Sequence, residues 1–258
     1  MLEIQTMEAL GNDFIVVDAV SQNVNPDEEP NIIKKCLEQF NFDQLLLIEP
    51  PTDKSADLKL KIYNVDGSLA ENCINGVRAV ALYAFDENLV SENHLLLQLE
   101  KSLAKIVKTD DALFSVEMKD FSFAKASCNI ADTSELEFDF EGKTISFEPV
   151  AVGNPHAVVF QKIDSEKIPE IGAALQESDI YQKGVNVGFV SVVESNEINL
   201  RVVERGVGET LACGSGACAA ALCGVKNGLL NSPTKVNFKK GHVIVDVNLE
   251  ENSFKLTG

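Results

Sequence analysis

Two cysteines that stand at the start of predicted helices are the residues of this chain best suited to chemistry. Cys73 opens the turn Ile74-Asn75-Gly76, Cys213 opens the turn Gly214-Ser215-Gly216, and each turn leads into an apolar run. The first amides of a helix are unpaired and together carry about half a positive charge, so they favour a thiolate and can hold a carboxylate. Each turn is therefore a candidate acid–base thiol beside a carboxylate site.

Six further polar residues repeat the spacing of the two cysteines. The matched pairs are Cys73 and Cys213, Asn64 and Glu204, Asn12 and Asn154, and Gln44 and Asn186. The members of the first two pairs are 140 residues apart (213 − 73 and 204 − 64), and those of the last two are 142 apart (154 − 12 and 186 − 44). Because four pairs keep nearly the same offset, the sequence indicates an internal duplication.

The elements that must position these residues are predicted from the apolar periodicity. Residues 58–62 and 198–202 alternate strictly, which predicts half-buried strands that end shortly before the two cysteine turns. The helix after Cys73 has one apolar stripe. The helix after Cys213 is apolar nearly all round, so we expect it to be enclosed by sheet and to end at residues 226–228.

The repeat predicts an α/β (α+β) fold with two pseudo-symmetric domains. Each domain is expected to be a curved, mostly antiparallel sheet or barrel around one central helix, with the active site in the cleft between the domains. The predicted bounds are residues 1–117 and 118–249, and the polar stretch 119–142 is expected to be an irregular crossing. A chain of 258 residues that is 45% hydrophobic can form two such cores.

Composition restricts the partners and the location. A net charge of −18 argues against a nucleic acid or an anionic membrane as partner. The first residues lack the pattern of a signal peptide, and no apolar run approaches the ~20 residues that span a bilayer, so we expect a cytoplasmic protein. The six cysteines include no Cys-x2-Cys pair and the nucleotide-binding glycine motifs are missing, so neither a metal nor a cofactor is expected.

A structural role is the alternative for each candidate residue. A free cysteine is usually a small buried hydrophobic residue, which is our interpretation of Cys36, Cys128, Cys218 and Cys223. A structural disulfide between the two turn cysteines is opposed by a cytoplasmic location. The four asparagines could be turn residues, residues 204–205 could be a solvated ion pair, and His156 suits packing as well as a site role.

Two thiols of the same kind suit the inversion of a carbon centre. One thiolate removes the proton from the α-carbon of an amino acid, and the opposite thiol donates a proton to the other face. The α-proton is only weakly acidic, so the carbanion needs electrostatic support, which amides at two helix N-termini would supply to the α-carboxylate. The expected partner is therefore a small-molecule substrate.

Motifs along essentially the whole chain point to one family. They are Leu10-Gly11-Asn12-Asp13-Phe14, Phe42-Asp43-Gln44, Asn64-Val65-Asp66-Gly67-Ser68, Cys73-Ile74-Asn75-Gly76, Gly153-Asn154-Pro155-His156, Asn186, Glu204-Arg205-Gly206-Val207-Gly208-Glu209-Thr210 and Ala212-Cys213-Gly214-Ser215-Gly216. On these motifs the sequence resembles the pyridoxal-independent diaminopimelate epimerases.

The resemblance implies a reaction and a set of site residues. The reaction is the interconversion of LL- and meso-diaminopimelate in lysine and peptidoglycan-precursor synthesis, with Cys73 and Cys213 as the acid–base pair and no cofactor. The resemblance places the reacting carboxylate on amides around Ile74, Asn75, Gly214 and Ser215. It assigns contacts with the rest of the substrate to Asn12, Gln44, Asn64, Asn154, Asn186, Glu204 and Arg205. The planar guanidinium of Arg205 suits the distal carboxylate. The family fold also returns the last strand, about residues 250–258, to the first domain.

Three departures from the family pattern lie in the first half of the chain. Ile74 replaces a glycine, Glu8-Ala9 stands in place of His-Gly, and Phe40-Asn41 replaces a Gly-x-Gly segment. A β-branched residue at position 74 would be strained if its φ were positive. The alternatives are therefore an epimerase of another free amino acid, a non-catalytic amino-acid-binding protein and a cofactor-free isomerase without thiol chemistry. A homodimer is compatible with the sequence.

Overall fold

Most of the apolar and alternating runs form strands, and the residues after Cys73 and Cys213 form two long helices. The computed structural model describes residues 3–25, 28–70, 73–90, 93–110, 113–119, 121–131 and 135–258. The chain divides into two units, Met1–Met118 and Lys119–Gly258.

The first unit is a mixed sheet with two helices. Its elements in chain order are β1 (Gln5–Ala9), β2 (Asn12–Asp18), α1 (Glu29–Gln39), β3 (Gln44–Glu49), β4 (Leu58–Asn64), α2 (Ile74–Asp86), β5 (His94–Gln98), β6 (Leu103–Asp110) and β7 (Leu113–Lys119). The strands lie side by side from β1 to β7, and β2–β3 and β4–β5 are parallel whereas the other pairs are antiparallel. Parallel neighbours need a crossover connection, which α1 and α2 provide.

The sheet of the first unit carries a helix on each face. On one face, Ile15 of β2 belongs to the same buried cluster as Ile32 of α1. On the other face, the side chains of Phe14 and Leu46 lie against Gly76 in the first turn of α2. Since both faces are covered, β2 and β3 are continuous apolar runs and do not alternate.

The second unit contains more elements. In chain order they are β8 (Phe121–Ser122), a 3-10 turn (Lys125–Cys128), β9 (Glu137–Phe140), β10 (Lys143–Ser146), β11 (Glu148–Val152), β12 (Pro155–Val159), α3 (Ile168–Glu177), β13 (Asn186–Glu194), β14 (Glu197–Glu204), β15 (Gly208–Thr210), α4 (Gly214–Lys226), β16 (Thr234–Phe238), β17 (Gly241–Asn248) and β18 (Ser253–Thr257).

The seven main strands of the second unit repeat the arrangement of the first. Their order is β11-β12-β13-β14-β16-β17-β18, and again only the second and fourth pairs are parallel. The helix α3 connects β12 to β13, and α4 follows β14 as α2 follows β4. As predicted, α4 is buried from Gly214 to Gly224 and packs on strands of its own unit, and it ends at Lys226 before Gly228 at φ 68°.

Some sequence expectations on secondary structure were wrong. The stretch 119–142, expected to be irregular, contains β8, the 3-10 turn and β9, with residues 120 and 132–134 outside the described part. Strands β9 and β10 form a hairpin whose turn residues, Glu141 and Gly142, both have positive φ, as a two-residue hairpin turn requires. The segment around Pro30 forms the 11-residue helix α1. The helix α3 was not predicted.

Two further observations concern the described residues as a set. No helix among them is long and apolar enough to cross a membrane. Within the same ranges, no group of three or more His, Cys, Asp or Glu side chains is arranged to hold a metal ion.

Candidate active site

In the first unit the predicted polar residues meet at one edge of the sheet. Asn12 begins β2, Gln44 begins the parallel strand β3, and Asn64 ends the antiparallel strand β4, so all three lie at the same end of the strands. Gln44 is directly opposite Asn64, and its amide donates to Asn64 Oδ1 at 3.1 Å. The Asn64 amide in turn donates to Ser68 Oγ at 3.1 Å. The structure thus brings together residues from three separate segments.

Cys73 stands at the N-cap of α2 beside this edge. Its backbone is extended, with φ −150° and ψ 96°, and its Sγ accepts the N–H of Gly76 at 3.4 Å. The helix start therefore supplies an amide to the sulfur, which favours the thiolate. We call Asn12, Gln44, Asn64, Cys73 and Asn75 the first cysteine site.

The two residues after Cys73 are buried in the first turn of α2. Asn75 is 2% exposed, and its amide nitrogen donates to Asn12 Oδ1 at 2.9 Å. Among the described residues, the buried side-chain oxygen of Asn75 has no hydrogen-bond partner, so an acceptor is available there. Ile74 is 1% exposed and is not among the residues with positive φ. The replacement of glycine by isoleucine at position 74 therefore causes no backbone strain.

In the second unit the matching residues lie at the matching edge. Asn154 immediately precedes β12, Asn186 begins β13 and Glu204 ends β14. His156 is opposite Asn186 in the parallel pair β12–β13. This is the arrangement of the first unit, with Glu204 in the place of Asn64.

Cys213 is the N-cap of α4 and has the same extended backbone as Cys73, with φ −140° and ψ 111°. It is 5% exposed. Its Sγ donates to Glu204 Oε2 at 3.4 Å and lies 3.5 Å from Ser215 Oγ. We call Asn154, His156, Asn186, Glu204, Arg205, Cys213 and Ser215 the second cysteine site.

The surroundings of Cys213 keep its thiol protonated. Burial raises the pKa of Cys213 well above its ordinary value, and the negative charge of Glu204 raises it further. The Ser215 hydroxyl and the Gly216 amide lower that pKa, but their effect is the smaller one. Cys213 therefore keeps its proton more firmly than an exposed cysteine does.

Arg205 is held by its neighbours within the second unit. Its backbone N–H donates to Asn186 Oδ1 at 2.9 Å, and its guanidinium donates to the Lys183 carbonyl at 3.2 Å. The aliphatic part of its side chain lies on Gly184, where an added Cβ would be 2.9 Å from Arg205 Cδ. The side chain is therefore oriented before any substrate binds.

His156 is 1% exposed, and its Nε2 is 2.9 Å from Asn154 Oδ1. Burial, followed by the positive charge of Arg205, lowers the pKa of His156 to about 3. The imidazole is consequently neutral at physiological pH, and it holds Asn154 in place.

Comparisons with known proteins agree with this geometry. A sequence model of the family described as "Diaminopimelate epimerase" matches residues 5–123 and 149–257. The chain belongs to the diaminopimelate epimerase family. The resemblance drawn from the motifs is thereby confirmed, and membership of the family makes the chain an isomerase of lysine biosynthesis.

Curated relatives match the chain along nearly its full length. A diaminopimelate epimerase of Chromobacterium violaceum is 34% identical over 263 residues, covering 100% of this chain and 95% of the relative. One of Pseudomonas aeruginosa is 33% identical over 253 residues, covering 95% of this chain and 91% of the relative.

Solved structures with lower identity show the same fold. A hydroxyproline epimerase from Agrobacterium vitis, solved with bound trans-4-hydroxy-L-proline, has a TM-score of 0.69 at 15% identity and covers 100% of this chain and 89% of its own. A probable proline racemase from Agrobacterium radiobacter has a TM-score of 0.66 at 14% identity, with 100% and 90% covered. A phenazine biosynthesis protein of the PhzF family from Enterococcus faecalis has a TM-score of 0.65 at 15% identity, with 99% and 94% covered.

Three residues next to the cysteines were not among the predicted site residues. Gly76 and Gly216 each stand three positions after a cysteine, and an added Cβ would lie 3.5 Å from Cys73 Sγ and 3.3 Å from Cys213 Sγ. Their spacing of 140 residues (216 − 76) repeats that of the cysteines and could have identified them. Thr210, whose hydroxyl donates a hydrogen bond to Glu204 at 2.5 Å, has no threonine at the matching position 140 residues earlier.

Proposed function

We propose that Cys73 and Cys213 are the two acid–base groups with which this enzyme interconverts LL- and meso-diaminopimelate. One sulfur, as thiolate, removes the α-proton, and the other, as thiol, donates its hydrogen to the opposite face, so that the centre inverts without a cofactor. The proposal depends on one observation: each of the two cysteines is the extended N-cap of a helix with a backbone amide three residues later directed at its sulfur, and Cys213 also donates to Glu204. Inversion of one carbon requires a base and an acid.

The carboxylate of the reacting centre is proposed to bind at the two helix starts. The first turns of α2 and α4 present the amides of Ile74, Asn75, Gly214 and Ser215, and these amides stabilise the charge that spreads into the carboxylate as the proton leaves. The buried Oδ1 of Asn75, which bonds to none of the described residues, supplies an acceptor for a substrate N–H.

The rest of the substrate is proposed to contact the polar residues of both cysteine sites. Arg205 binds the distal carboxylate, because its guanidinium is already oriented by Gly184 and the Lys183 carbonyl and can grip both oxygens. The remaining contacts are assigned to Asn12, Gln44, Asn64, Asn154, Asn186 and Glu204. His156 holds Asn154.

The finer architecture belongs to the same proposal. We infer that an internal duplication produced two pseudo-symmetric domains, 1–117 and 118–249, with the active site in the cleft between them. The repeated strand order of the two units supports this inference. β18 pairs with β17, and its assignment to the first domain follows from the family resemblance.

Location and assembly complete the proposal. We infer a cytoplasmic enzyme, because the proposed mechanism needs two reduced thiols. A homodimer is our hypothesis for the assembly, and analytical ultracentrifugation tests it.

Proton exchange tests the function directly. Incubation of LL-diaminopimelate with the reduced protein in deuterium oxide should replace the α-proton by deuterium and form the meso isomer, as followed by NMR and chiral chromatography. Cys73→Ser and Cys213→Ser should each slow inversion by at least about 100-fold, since each removes one acid–base group. Cys36→Ser, in α1, is the matched control and should retain activity. Unimpaired inversion in either active-site variant would refute the two-thiol mechanism.

Epimerisation of another free amino acid is the second candidate. It is favoured by Glu8, which replaces a histidine of the family pattern and whose carboxylate accepts the Gly11 N–H at 2.5 Å, beside Asn12. The same exchange experiment with a panel of free amino acids distinguishes the two. Exchange with a panel member but not with diaminopimelate would establish the second candidate.

A further inference from the structure

The carboxylate of Glu204 contacts two hydroxyl or thiol groups at once. Thr210 Oγ1 donates to Glu204 Oε1 at 2.5 Å, and Cys213 Sγ donates to the other oxygen, Oε2, at 3.4 Å. A carboxylate with one oxygen anchored can present the second in a fixed direction. Thr210 thus anchors one oxygen of the carboxylate whose other oxygen accepts the Cys213 hydrogen.

The strand register explains how Thr210 reaches Glu204. β15 folds back on β14, with Gly208 opposite Glu204 and Thr210 opposite Val202. Residues two apart on a strand share a face, so Thr210 lies diagonally across from Glu204 on the face that also carries Val202. Val202 Cγ2 is 3.0 Å from the position of a Cβ on Gly216, so this face packs against the first turn of α4.

An ion pair holds β15 in that register. Arg201 of β14 donates to both carboxylate oxygens of Glu209 at 2.7 and 2.8 Å, and a third bond joins it to the Ser165 carbonyl at 2.6 Å. Such a two-pronged pair fixes direction as well as distance. Since Glu209 directly precedes Thr210, the pair restricts the movement of the hydroxyl.

We propose that Thr210 is a positioning residue, which fixes Glu204 so that its carboxylate holds the hydrogen of the Cys213 thiol. This inference rests on the proposed function, in which Cys213 acts as an acid. Without the Thr210 hydroxyl, the carboxylate of Glu204 either rotates away from the sulfur or takes up a proton. In both cases its charge no longer opposes ionisation of Cys213, and the thiol ionises at lower pH.

The test compares Thr210→Val with Thr210→Ser. An ultraviolet difference titration against the same protein carrying Cys213→Ser reports ionisation of that thiol, whether or not the enzyme turns over. We expect the midpoint to move to lower pH in Thr210→Val and to stay at the wild-type value in Thr210→Ser. For epimerisation, kcat should fall about 10- to 100-fold in Thr210→Val with a smaller change in KM, as for loss of a hydrogen bond to a charged group.

A matched control separates this effect from general damage. Thr144 Oγ1 also donates to a carboxylate, that of Asp139 at 2.9 Å, in the β9–β10 hairpin. Thr144→Val should leave both the titration midpoint and kcat unchanged. Glu204→Gln should lower the midpoint at least as far as Thr210→Val does. Arg205 and His156, the other charged or titratable groups of this site, are unchanged in every variant.

The outcomes are distinct for the two proposals. An unchanged midpoint and kcat in folded Thr210→Val would overturn the role of Thr210. If that variant does not fold, Arg201→Gln, which loosens β15 without altering Thr210, takes its place: a lowered midpoint supports the role and an unchanged one overturns it. A wild-type protein that epimerises no diaminopimelate would overturn the proposed function, and the titration would still decide what Thr210 does.

Discussion

At the scale of single residues, the two cysteines have the same backbone but different hydrogen bonds. Both are extended N-cap residues with a glycine three positions later, which leaves room for the sulfur against the helix start. Cys73 accepts from Gly76, whereas Cys213 faces a carboxylate that favours its protonated form. The residue at the end of the preceding strand is Asn64 in the first unit and Glu204, which accepts the Cys213 hydrogen, in the second.

His156 should make the fold sensitive to acid. The pKa of His156 is lowered from 6.5 to about 3, so the folded protein keeps it neutral while the unfolded chain takes up a proton. The stability it contributes is complete above pH 6.5 and is lost as pH falls towards 3, at up to about 1.4 kcal/mol per pH unit. Urea unfolding between pH 7 and pH 4 should show a shallower decline for His156→Gln than for wild type. Parallel declines would contradict the buried neutral imidazole.

At the scale of elements, glycines set how closely helices approach the sheet. An added Cβ on Gly172 of α3 would lie 2.6 Å from Val203 Cβ of β14, which is too close for any side chain. Val203 is adjacent to Glu204 in the chain, so the packing of α3 against β14 is linked to the position of the Glu204 carboxylate. The sequence contained no periodic signal for this contact, because it joins residues 31 apart (203 − 172).

Gly172→Ala should therefore destabilise the protein. The added methyl group overpacks the contact with Val203, at a cost of about 1–3 kcal/mol. Gly188→Ala in β13 is the matched control. Its Cβ would meet Leu200 Cδ1 at 3.4 Å and the Ala157 carbonyl oxygen at 4.0 Å, both ordinary contacts, so the substitution should change stability by less than about 0.5 kcal/mol. Chemical denaturation of both variants gives the comparison. Equal effects of the two substitutions would show that the contact can relax.

Buried thiols should make α4 sensitive to alkali. Burial raises the pKa of Cys218 above its ordinary value of 9.0, so the folded state keeps the thiol protonated while the unfolded chain ionises. The associated stability is fully present below about pH 9 and is lost as pH rises further, by up to about 1.4 kcal/mol per pH unit. Cys218→Ala should lower stability at pH 7, through the cavity it leaves, and flatten the alkaline decline. An unchanged alkaline slope would refute this account.

At the scale of the whole molecule, each unit carries one cysteine at a helix N-cap and one set of polar side chains near it. The two units have the same strand order. In each unit, a strand ends shortly before a helix whose N-cap residue is a cysteine. Inversion needs a base and an acid on opposite faces of one carbon, so neither unit is expected to be active alone.

Oxidation tests whether the two thiols serve one centre. Two thiols that act on the same substrate carbon can approach each other closely enough to form a disulfide, which needs Cα atoms about 4.4–6.8 Å apart. Mild oxidation should therefore inactivate the enzyme and link Cys73 to Cys213, and a thiol reductant should restore activity. Peptide mapping under non-reducing conditions identifies the link, and Cys73→Ser is the control that cannot form it. Full activity after both cysteines are oxidised would exclude the shared centre.

The sequence by itself determined the features that repeat or alternate. The apolar runs predicted the strands, the turns at Cys73 and Cys213 predicted the starts of α2 and α4, and the offsets of 140 and 142 predicted the matched polar residues at the sheet edges. Together with the motifs, these were sufficient for the family. These patterns depend only on residue types and on their spacing along the chain, so they can be recognised without the tertiary structure.

Only the tertiary structure decided the contacts that have no local signature. The anchoring of Glu204 by Thr210, the neutral state of His156 and the protonated thiol of Cys213 all depend on burial and on partners from other segments. The tertiary structure also showed that Ile74 is not strained, because backbone strain depends on φ as well as on residue type. Side-chain distances and desolvation are properties of the packed chain, and for that reason the sequence named the catalytic candidates but not their protonation.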